Sequence, residues 1–357
     1  MNVKSLIPTL LDAIKEPLLN LNGKEMGFRY DIKETSHSIE IVIHCGFPVG
    51  VLEKNYIPLA EQKLRQQFPQ KDIKLHLNQF IRAHKTQFPG KGLRGIKNTI
   101  AVASGKGGVG KSTVTVNIAC ALARAGARVG ILDADIYGPS IPLMLGTQGP
   151  VTIKDDFYLP IEAHGLHTMS IGYLTDMNHA LIWRGPMLAK SLIQMLDGTS
   201  WDELDYLFID LPPGTGDIQL TLVQKIPLTA AIVVTTPQNV ATLDAQKAIA
   251  MFAKTGIDVL GIIENMSTHQ CSSCGHEEAI FGSGGAQHLC ATHECTLLGQ
   301  LPLNKSIRTQ CDKGVPIATH DDMEAAKPFL KAALKSAIDL SYKPINYADK
   351  FPKIVVE

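Results

Sequence analysis

The chain has 357 residues, of which 45% are hydrophobic and 19% charged, so it is long enough for one large and one small domain. Its 34 basic residues balance its 34 acidic residues, and this neutrality gives no indication of binding to nucleic acid or to a membrane. No apolar run approaches the roughly 20 residues of a spanning helix, and residues 1–19 lack a signal-peptide cleavage pattern, so we expect a cytoplasmic protein.

Residues 1–85 have the pattern of a small α+β domain. Apolar residues recur at helical spacing near the start, and β-branched runs follow further on. The expected elements are, in order, a helix over 6–14, strands near 28–32 and 39–43, a helix over 51–68 and a strand at 73–77.

Residues 86–97 are basic and rich in Gly and Pro, a composition typical of a linker. Residues 98–345 then alternate short apolar runs with helical stretches. Runs that are apolar throughout indicate strands buried on both faces, and the intervening helices predict right-handed crossovers. We therefore predict an α/β domain with a doubly wound, mostly parallel sheet, followed by a C-terminal tail over 346–357.

A phosphate-binding loop lies between the first strand and the first helix of this domain. The sequence Ser-Gly-Lys-Gly-Gly-Val-Gly-Lys-Ser-Thr, residues 104–113, fits the pattern G-x-x-x-x-G-K-[ST]. Glycines let backbone amides surround phosphate oxygens at a helix N-terminus. We expect nucleotide contacts from Gly105, Lys106, Gly107, Gly108, Val109, Gly110, Lys111, Ser112 and Thr113. Lys111 should reach the β and γ phosphates, Ser112 should bind Mg²⁺, and Thr113 should donate near the α phosphate.

A second lysine distinguishes this loop from the common P-loop. The run Lys-Gly-Gly-Val-Gly-Lys-Ser-Thr resembles the deviant Walker A box of the MinD/ParA family. That resemblance implies that Lys106 contacts nucleotide phosphates across a dimer interface and that the protein works as a homodimer. A solvated loop lysine is the alternative interpretation of Lys106.

Carboxylates follow two of the predicted strands. Asp210 ends the apolar run 206–209, as expected for a residue that holds Mg²⁺ through water. Asp133 and Asp135 follow the run 129–132, and we expect one to act on the metal and the other on the attacking water. Helix capping is the alternative for each aspartate.

The segment after Asp210, Leu-Pro-Pro-Gly-Thr-Gly-Asp, is a glycine-hinged loop that could sense the γ-phosphate. Its last residue, Asp217, either orients this loop or caps the next helix. The MinD/ParA resemblance also implies that Asn265, which follows the strand predicted at 259–263, reads the adenine edge, to which an amide can both donate and accept. ATP is therefore favoured over GTP, and the alternative for Asn265 is a turn residue.

The chain has seven cysteines, an odd number that argues against a disulfide framework. Cys271 and Cys274 form a C-x-x-C motif, whose two thiolates can bind one metal ion or two corners of a cluster. A symmetric dimer could supply the other two ligands. One chain could instead complete a structural zinc site, drawing on His276, Cys290, His293 or Cys295. A redox-active or inert pair is the third possibility.

Several motifs together are similar to those of the Mrp/ApbC family over about residues 98–340. They are the loop at 106–113, the segments 133–140, 183–187, 210–217 and 264–267, and the cysteine pair followed by Ile-Phe-Gly at 280–282. Members of this family are ATP-binding iron–sulfur cluster carriers. More faintly, residues 1–85 resemble the small domain found in cluster-assembly factors. Cys45-Gly-Phe-Pro only partly matches its signature, so we assign Cys45 no ligand role.

The resemblance implies a [4Fe–4S] cluster between two subunits, bound by Cys271 and Cys274 of each, slow ATP hydrolysis, and transfer to apo iron–sulfur proteins from a scaffold donor. It also implies that Asp135 positions the attacking water and that Asp133 supports the metal or the loop. Lys106, Lys111, Asp135 and Asp210 are then the expected catalytic residues. Trp183 and Arg184 would belong to an interface near the switch segment, which is the glycine-hinged loop that ends at Asp217.

A partitioning or septum-positioning ATPase shares the deviant loop. A membrane-tethered relative should end in a basic amphipathic helix, whereas residues 348–357 are mixed in charge and contain Pro352. A zinc-stabilised regulatory ATPase without a cluster is the other alternative.

Overall fold

The computed structural model describes residues 3–136, 138–174, 185–271, 273–320 and 323–347, without the side chains of residues 185–188. Its N-terminal unit is a three-stranded sheet in the order β1-β2-β3, with β1 antiparallel and β3 parallel to β2. The elements are α1 (Val3–Asp12), β1 (Arg29–Glu34), β2 (Ser38–Cys45), α2 (Gly50–Asn55), α3 (Ile57–Gln67) and β3 (Asp72–Gln79). Alternate residues of β2, from Ile39 to Cys45, are buried, as expected for a strand with one face on a core.

The helix predicted over 51–68 is wrong as a single element, because it divides into α2 and α3 at Tyr56. Pro58 lies in the first turn of α3. Proline has no amide hydrogen for a helical bond and restricts the residue before it, so a helix begins there more easily than it continues. Tyr56 is fully buried, and its hydroxyl donates to the carbonyl of Leu11 at 2.8 Å.

The larger unit is built on an eight-stranded sheet in the order β15-β12-β11-β4-β10-β5-β9-β8. All of its neighbouring strands are parallel except β8 and β9. The strands are β4 (Ile96–Ala103), β5 (Val129–Asp133), β8 (Ile161–Ala163), β9 (Leu166–Ser170), β10 (Leu204–Asp210), β11 (Ala230–Thr235), β12 (Val259–Glu264) and β15 (Thr296–Gln300). The predicted α/β fold with a mostly parallel sheet is confirmed.

Helices cover both faces of this sheet, and two short hairpins lie beside it. The helices are α4 (Lys111–Arg124), α5 (Ile141–Leu145), α6 (Gly185–Asp197), α7 (Asp217–Val223), α8 (Asn239–Lys254), α9 (Gly285–His293), α10 (Lys305–Asp312) and α11 (Lys327–Ser341). The hairpins are β6 (Ile153–Lys154) with β7 (Phe157–Tyr158), and β13 (His269–Gln270) with β14 (Glu277–Glu278). Within the described ranges, no helix has the length and apolar content needed to cross a bilayer.

Two apolar cores lie on opposite faces of the large sheet. One contains residues of α4, α5, α10 and α11 and continues into the N-terminal unit. The other contains residues of α6, α7, α8 and α9. The N-terminal unit is attached at the end of α4: the Gly50 amide donates to the Ala125 carbonyl at 2.9 Å, and Gln79 Nε2 donates to the Gly126 carbonyl at 2.9 Å. This sheet places the ends of β4, β10 and β5 side by side, and β11 separates β12 from β4.

Candidate nucleotide and cluster sites

Residues 104–110 form a loop between β4 and α4, as the motif predicts. Gly105 packs against α8 so closely that an added Cβ would lie 2.1 Å from the backbone carbonyl carbon of Asp244. Gly110 precedes α4 with φ of 82°, and an added Cβ would lie 2.3 Å from Asn265 Nδ2. Both positions therefore require glycine, one for close approach and one for conformation as well.

Asp210 is the centre of a buried polar network at the end of β10. Its Oδ2 accepts from Lys111 Nζ at 2.7 Å and from Ser112 Oγ at 2.5 Å, and its Oδ1 accepts from Thr115 Oγ1 at 2.7 Å. The side chains of Lys111 and Asp210 are 5% and 0% exposed, so their ion pair is almost completely removed from water. Carboxylate and hydroxyl oxygens are the ligands that Mg²⁺ prefers, so this donor set fits the predicted metal.

Asp133 lies on the neighbouring strand β5, paired with Asp210 in register. It is fully buried and accepts from the amides of Asp135 (3.2 Å) and Ile141 (3.3 Å) and from Ser170 Oγ (3.1 Å). Burial, and then the charge of Asp210, raise the pKa of the Asp133 carboxyl to about 8. Lys111, then the Asp135 amide and the Ser170 hydroxyl, act in the opposite direction, because they stabilise the charged form, but they do not overcome desolvation.

The remaining predicted nucleotide residues surround this network. Asn265 follows β12, and its Nδ2 donates to the carbonyl of Val109 at 2.9 Å, so it supports the loop; its contact with adenine stays a prediction. Lys106 is half-buried, and its carbonyl accepts from Ser104 Oγ at 2.9 Å. Thr113 Oγ1 lies 4.0 Å from the sulfur of Met144.

The glycine-hinged segment 211–217 lies directly beside the phosphate loop. The Gly214 amide donates to the Ser104 carbonyl at 3.0 Å, and α7 begins at Asp217 with Gly216 as its N-cap. Asp217 therefore lies in the first turn of α7, where a carboxylate is favourable, and the cap position is taken by Gly216. Asp135 lies two residues beyond β5, and its role with water stays a prediction.

Cys271 and Cys274 lie in the turn of the hairpin formed by β13 and β14. The Cys271 amide donates to the His276 carbonyl at 2.8 Å, and the Gly275 amide donates to the Cys271 carbonyl at 2.9 Å. These bonds close a tight turn that presents both side chains outward: Cys271 is half-exposed and Cys274 is exposed. The turn is therefore a two-thiol site open to solvent.

The turn also favours the thiolate form of one cysteine. Hydrogen bonds from the backbone amides of Cys274 and then Ser273, followed by one from the Cys274 thiol, lower the pKa of Cys271. Nearby Glu278 opposes this shift. Because the thiolate is the form that binds metals, Cys271 is prepared for ligation.

The other cysteines differ from this pair. Cys290 and Cys295 contact each other at the end of α9, where the Cys295 amide donates to the Cys290 carbonyl at 3.1 Å, and burial raises both pKa values. Cys45, Cys120 and Cys311 are buried. Among the described residues, no group of three or more His, Cys, Asp or Glu side chains could hold a metal ion.

Sequence reasoning missed two residues of the site. Thr115 binds Asp210, and Ser170 binds Asp133. Thr115 follows Lys111 by four residues and so shares its helix face, a signal that the sequence contains. Ser170 ends β9, and only the sheet order brings it to β5. The predicted interface residues Trp183 and Arg184 lie outside the described residues.

Solved structures share the fold of this chain. A nucleotide-binding protein from Archaeoglobus fulgidus in complex with ADP is 40% identical, with a TM-score of 0.56 over 62% of this chain and 87% of that one. The cell division ATPase MinD of Pyrococcus furiosus is 23% identical, with a TM-score of 0.51 over 67% of this chain and 97% of that one. The second likeness shows the fold alone.

Curated relatives are named iron–sulfur cluster carrier proteins. The one from Escherichia coli (strain K12) is 60% identical over 227 residues, which are 63% of this chain and 62% of the relative. The one from Deinococcus radiodurans is 41% identical over 340 residues, 94% of this chain and 95% of the relative. Residues 95–337 match the family model described as ParA: NUBPL iron-transfer P-loop NTPase. The chain therefore belongs to the ParA family of NUBPL-type iron-transfer P-loop NTPases.

Proposed function

We propose that this chain is a cytoplasmic, ATP-dependent carrier of iron–sulfur clusters. Two copies of the chain hold one [4Fe–4S] cluster through Cys271 and Cys274, receive it from a scaffold protein and transfer it to apo iron–sulfur proteins. The observation that carries this proposal is the exposed hairpin turn with two thiols, one of them favoured as thiolate, in a member of an iron-transfer family.

The ligand count supports a cluster shared between two copies. A [4Fe–4S] cluster takes four cysteine ligands, and each hairpin offers two. Cys290 and Cys295 contact each other and pack against an apolar core. A two-fold axis brings identical surfaces together, so the same turn from a second copy completes the set.

The nucleotide site supports ATP binding and slow hydrolysis. We propose that Lys111 binds the β and γ phosphates and that Ser112 and Asp210 hold Mg²⁺, which when bound draws charge from the phosphate oxygens. In the structure Lys111 and Ser112 both hydrogen-bond Asp210, so the three groups already lie within reach of one another. The A. fulgidus relative binds ADP, which supports a nucleotide at the same loop.

Further roles around this site belong to the same proposal. Lys106 contacts the phosphates bound by the second copy, and Asp135 positions the attacking water. Asn265 joins its support of the loop to recognition of adenine, and Asp133 holds the Asp135 backbone in place. Each role predicts a loss of turnover on replacement with alanine, measured as phosphate release from ATP.

Anaerobic reconstitution with iron and sulfide tests the carrier proposal. We expect about four iron and four sulfide per two chains, with the visible absorption of a cluster, and transfer to an apo iron–sulfur protein that then gains activity. The Cys271→Ala/Cys274→Ala variant should bind neither iron nor sulfide. The matched control, Cys290→Ala/Cys295→Ala, should bind the wild-type amounts, because that pair lies away from the hairpin turn.

Stoichiometric zinc that iron does not displace, without bound sulfide, would contradict the carrier proposal. The protein would then be a zinc-stabilised ATPase. Normal cluster loading in the Cys271→Ala/Cys274→Ala variant would also contradict it, because the ligands would lie elsewhere.

A further inference from the structure

One side chain of the linker caps the helix that follows the switch segment. Gln87 Nε2 donates to the carbonyls of Val223 (3.0 Å) and Ile226 (2.8 Å), and its Oε1 accepts from the Leu228 amide at 2.8 Å. The backbone amide of Gln87 also donates to the Leu228 carbonyl at 3.3 Å. Because the last carbonyls of a helix lack partners within it, Gln87 supplies partners that α7 needs.

The other end of α7 lies at the nucleotide loop. The helix begins at Asp217, directly after the segment whose Gly214 amide donates to the Ser104 carbonyl. A single helix of seven residues therefore connects the loop expected to sense the γ-phosphate with the linker. A shift of α7 along its axis would therefore change the contacts at both of its ends.

One buried side chain of α7 has no hydrogen-bond partner among the described residues. Gln219, in the first turn of α7, is 2% exposed, and in the described part of the chain neither its Oε1 nor its Nε2 has a hydrogen-bond partner. A buried amide without partners destabilises the arrangement that contains it. A second position of α7 in which Gln219 has a partner would remove this penalty.

Space for such a shift exists at the capped end. A cavity of about 710 Å³ lies between the linker, the end of α6 and the end of α7, and its lining includes Thr86, Lys225, Ile226 and Pro227. Exposed residues such as Lys91 and Arg94 line one side of this space, so it is an open cleft that leaves room for the segment directly after α7 to move.

Residues directly before the linker bond the segment that follows α11, and this segment also contacts the start of the N-terminal unit. The Lys85 amide donates to the Pro344 carbonyl at 2.8 Å, and the Asn346 amide donates to the Ala83 carbonyl at 2.9 Å. Just before that segment, Tyr342 Oη donates to the Lys24 carbonyl at 3.1 Å. Release of Gln87 from α7 would therefore weaken the attachment of the linker near residues 342–346, which also contact the N-terminal unit.

We infer that α7 has two positions and that the bound nucleotide selects between them. The position of α7 determines whether Gln87 stays bound to it, and so how tightly the linker is held. We call α7 the lever and Gln87 its positioning residue. ATP draws segment 211–217 toward its γ-phosphate, and α7 follows. The Val223 and Ile226 carbonyls then leave Gln87, and the linker loosens. With ADP the cap is intact. This inference rests on the proposed ATP binding and adds a route by which nucleotide state reaches the N-terminal unit.

Limited trypsin digestion of the full chain tests the lever. Lys91 and Arg94 are exposed in the linker and Lys85 is exposed directly before it, and cleavage at these residues reports local opening. With wild type, we expect a hydrolysis-resistant ATP analogue to give several-fold faster cleavage than ADP. Gln87→Glu places an oxygen against two carbonyls, so cleavage with ADP should rise on the order of tenfold and the difference between nucleotides should disappear.

Two further variants separate the lever from a structural role. Gln87→Met removes the hydrogen bonds without adding charge and should also abolish the difference between nucleotides. Gln224→Glu adds the same charge at an exposed position beside the end of α7 and should keep that difference. A Gln87 that is merely structural would, on replacement, speed cleavage with both nucleotides and preserve their ratio.

Calorimetric titration of ADP and the analogue, run on each variant, shows that folding and binding are retained. Wild type that binds both nucleotides but is cleaved equally fast with either would overturn the lever, as would Gln87 variants that keep the wild-type ratio. Wild type that binds neither nucleotide would overturn the proposed function and the lever together.

Discussion

The nucleotide loop and the cysteine turn are built in opposite ways. The loop is fixed within one chain by buried contacts: Asp210 accepts three hydrogen bonds, and Gly105 lies against the backbone of α8. The cysteine turn lies between two-residue strands, is open to solvent and offers only two thiols. The first site is preorganised by folding, whereas the second, under the proposed function, is completed by another copy of the chain.

The difference between the two sites predicts which substitutions lower the stability of the fold and which affect only binding of the cluster. Buried ion pairs are costly to break, because a charge remains without a partner. Exposed side chains away from such networks usually change stability by less than about 0.5 kcal/mol. The predictions that follow test this contrast.

The largest effect is expected at Asp210. Asp210→Ala leaves Lys111 charged and buried without its carboxylate, so stability of the nucleotide-free protein should fall by about 3–5 kcal/mol. Lys111→Met should cost less, because Asp210 keeps Ser112 and Thr115 as donors. Chemical unfolding of both variants measures the difference. Equal losses would show that the network does not depend on Asp210 in the way described.

Cys271→Ala/Cys274→Ala is the matched change in the other region, and its unfolding curve should overlay that of the wild type. A loss of stability comparable to that of Asp210→Ala would erase the contrast between the two sites.

Gly105→Ala should have the next largest effect. The added Cβ meets backbone of α8 at 2.1 Å, so the loop or the helix has to shift, at a cost of about 1–3 kcal/mol. Gly107 in the same loop is the control, because an added Cβ there would be 4.0 Å from Pro213 Cβ. Thermal midpoints of the two alanine variants should differ, with Gly107→Ala close to wild type. A Gly105→Ala protein as stable as Gly107→Ala would refute the close approach.

Asp133 should make stability depend on pH. Its folded pKa of about 8 lies above the usual carboxyl value of about 4, so the folded state binds the proton more tightly than the unfolded state. The stabilising contribution is complete below about pH 4 and is lost progressively as pH rises toward 8. Asp133→Asn, compared with wild type in magnesium-free buffer, should remove this slope. An unchanged slope would contradict the raised pKa.

The smallest effect concerns the two exposed cysteines. The lowered pKa of Cys271 predicts that it reacts with iodoacetamide at lower pH than Cys274 does, although Cys274 is the more exposed. Mass spectrometry of the modified peptides across a pH series measures both rates. Identical pH profiles would show that the amides of the turn do not act on the Cys271 sulfur.

Much of the nucleotide site could be predicted from the sequence because its signals are local. The loop motif directly follows a run of apolar residues, and Asp210 ends another such run, so strand, loop and carboxylate are all readable in order. The break at Tyr56 was missed, although Pro58 marks it, because the apolar pattern continues through both helices.

The remaining features depend on contacts between residues distant in sequence. Gln87 lies in a segment whose composition is typical of a linker, and its partners Val223 and Ile226 are more than 130 residues away. Ser170 reaches Asp133 only through the order of strands in the sheet. Likewise, the C-x-x-C spacing indicates two metal ligands but does not contain the hairpin that lowers the pKa of Cys271.

The central claim is that one cluster is shared by two chains, and native mass spectrometry under anaerobic conditions tests it most directly. After reconstitution, the account predicts a dimer that carries one [4Fe–4S] cluster and that dissociates to cluster-free monomers when the cluster is removed. Mixing wild type with Cys271→Ala/Cys274→Ala should give no cluster-bearing mixed dimer. A cluster or zinc ion bound stoichiometrically to single chains would contradict the claim.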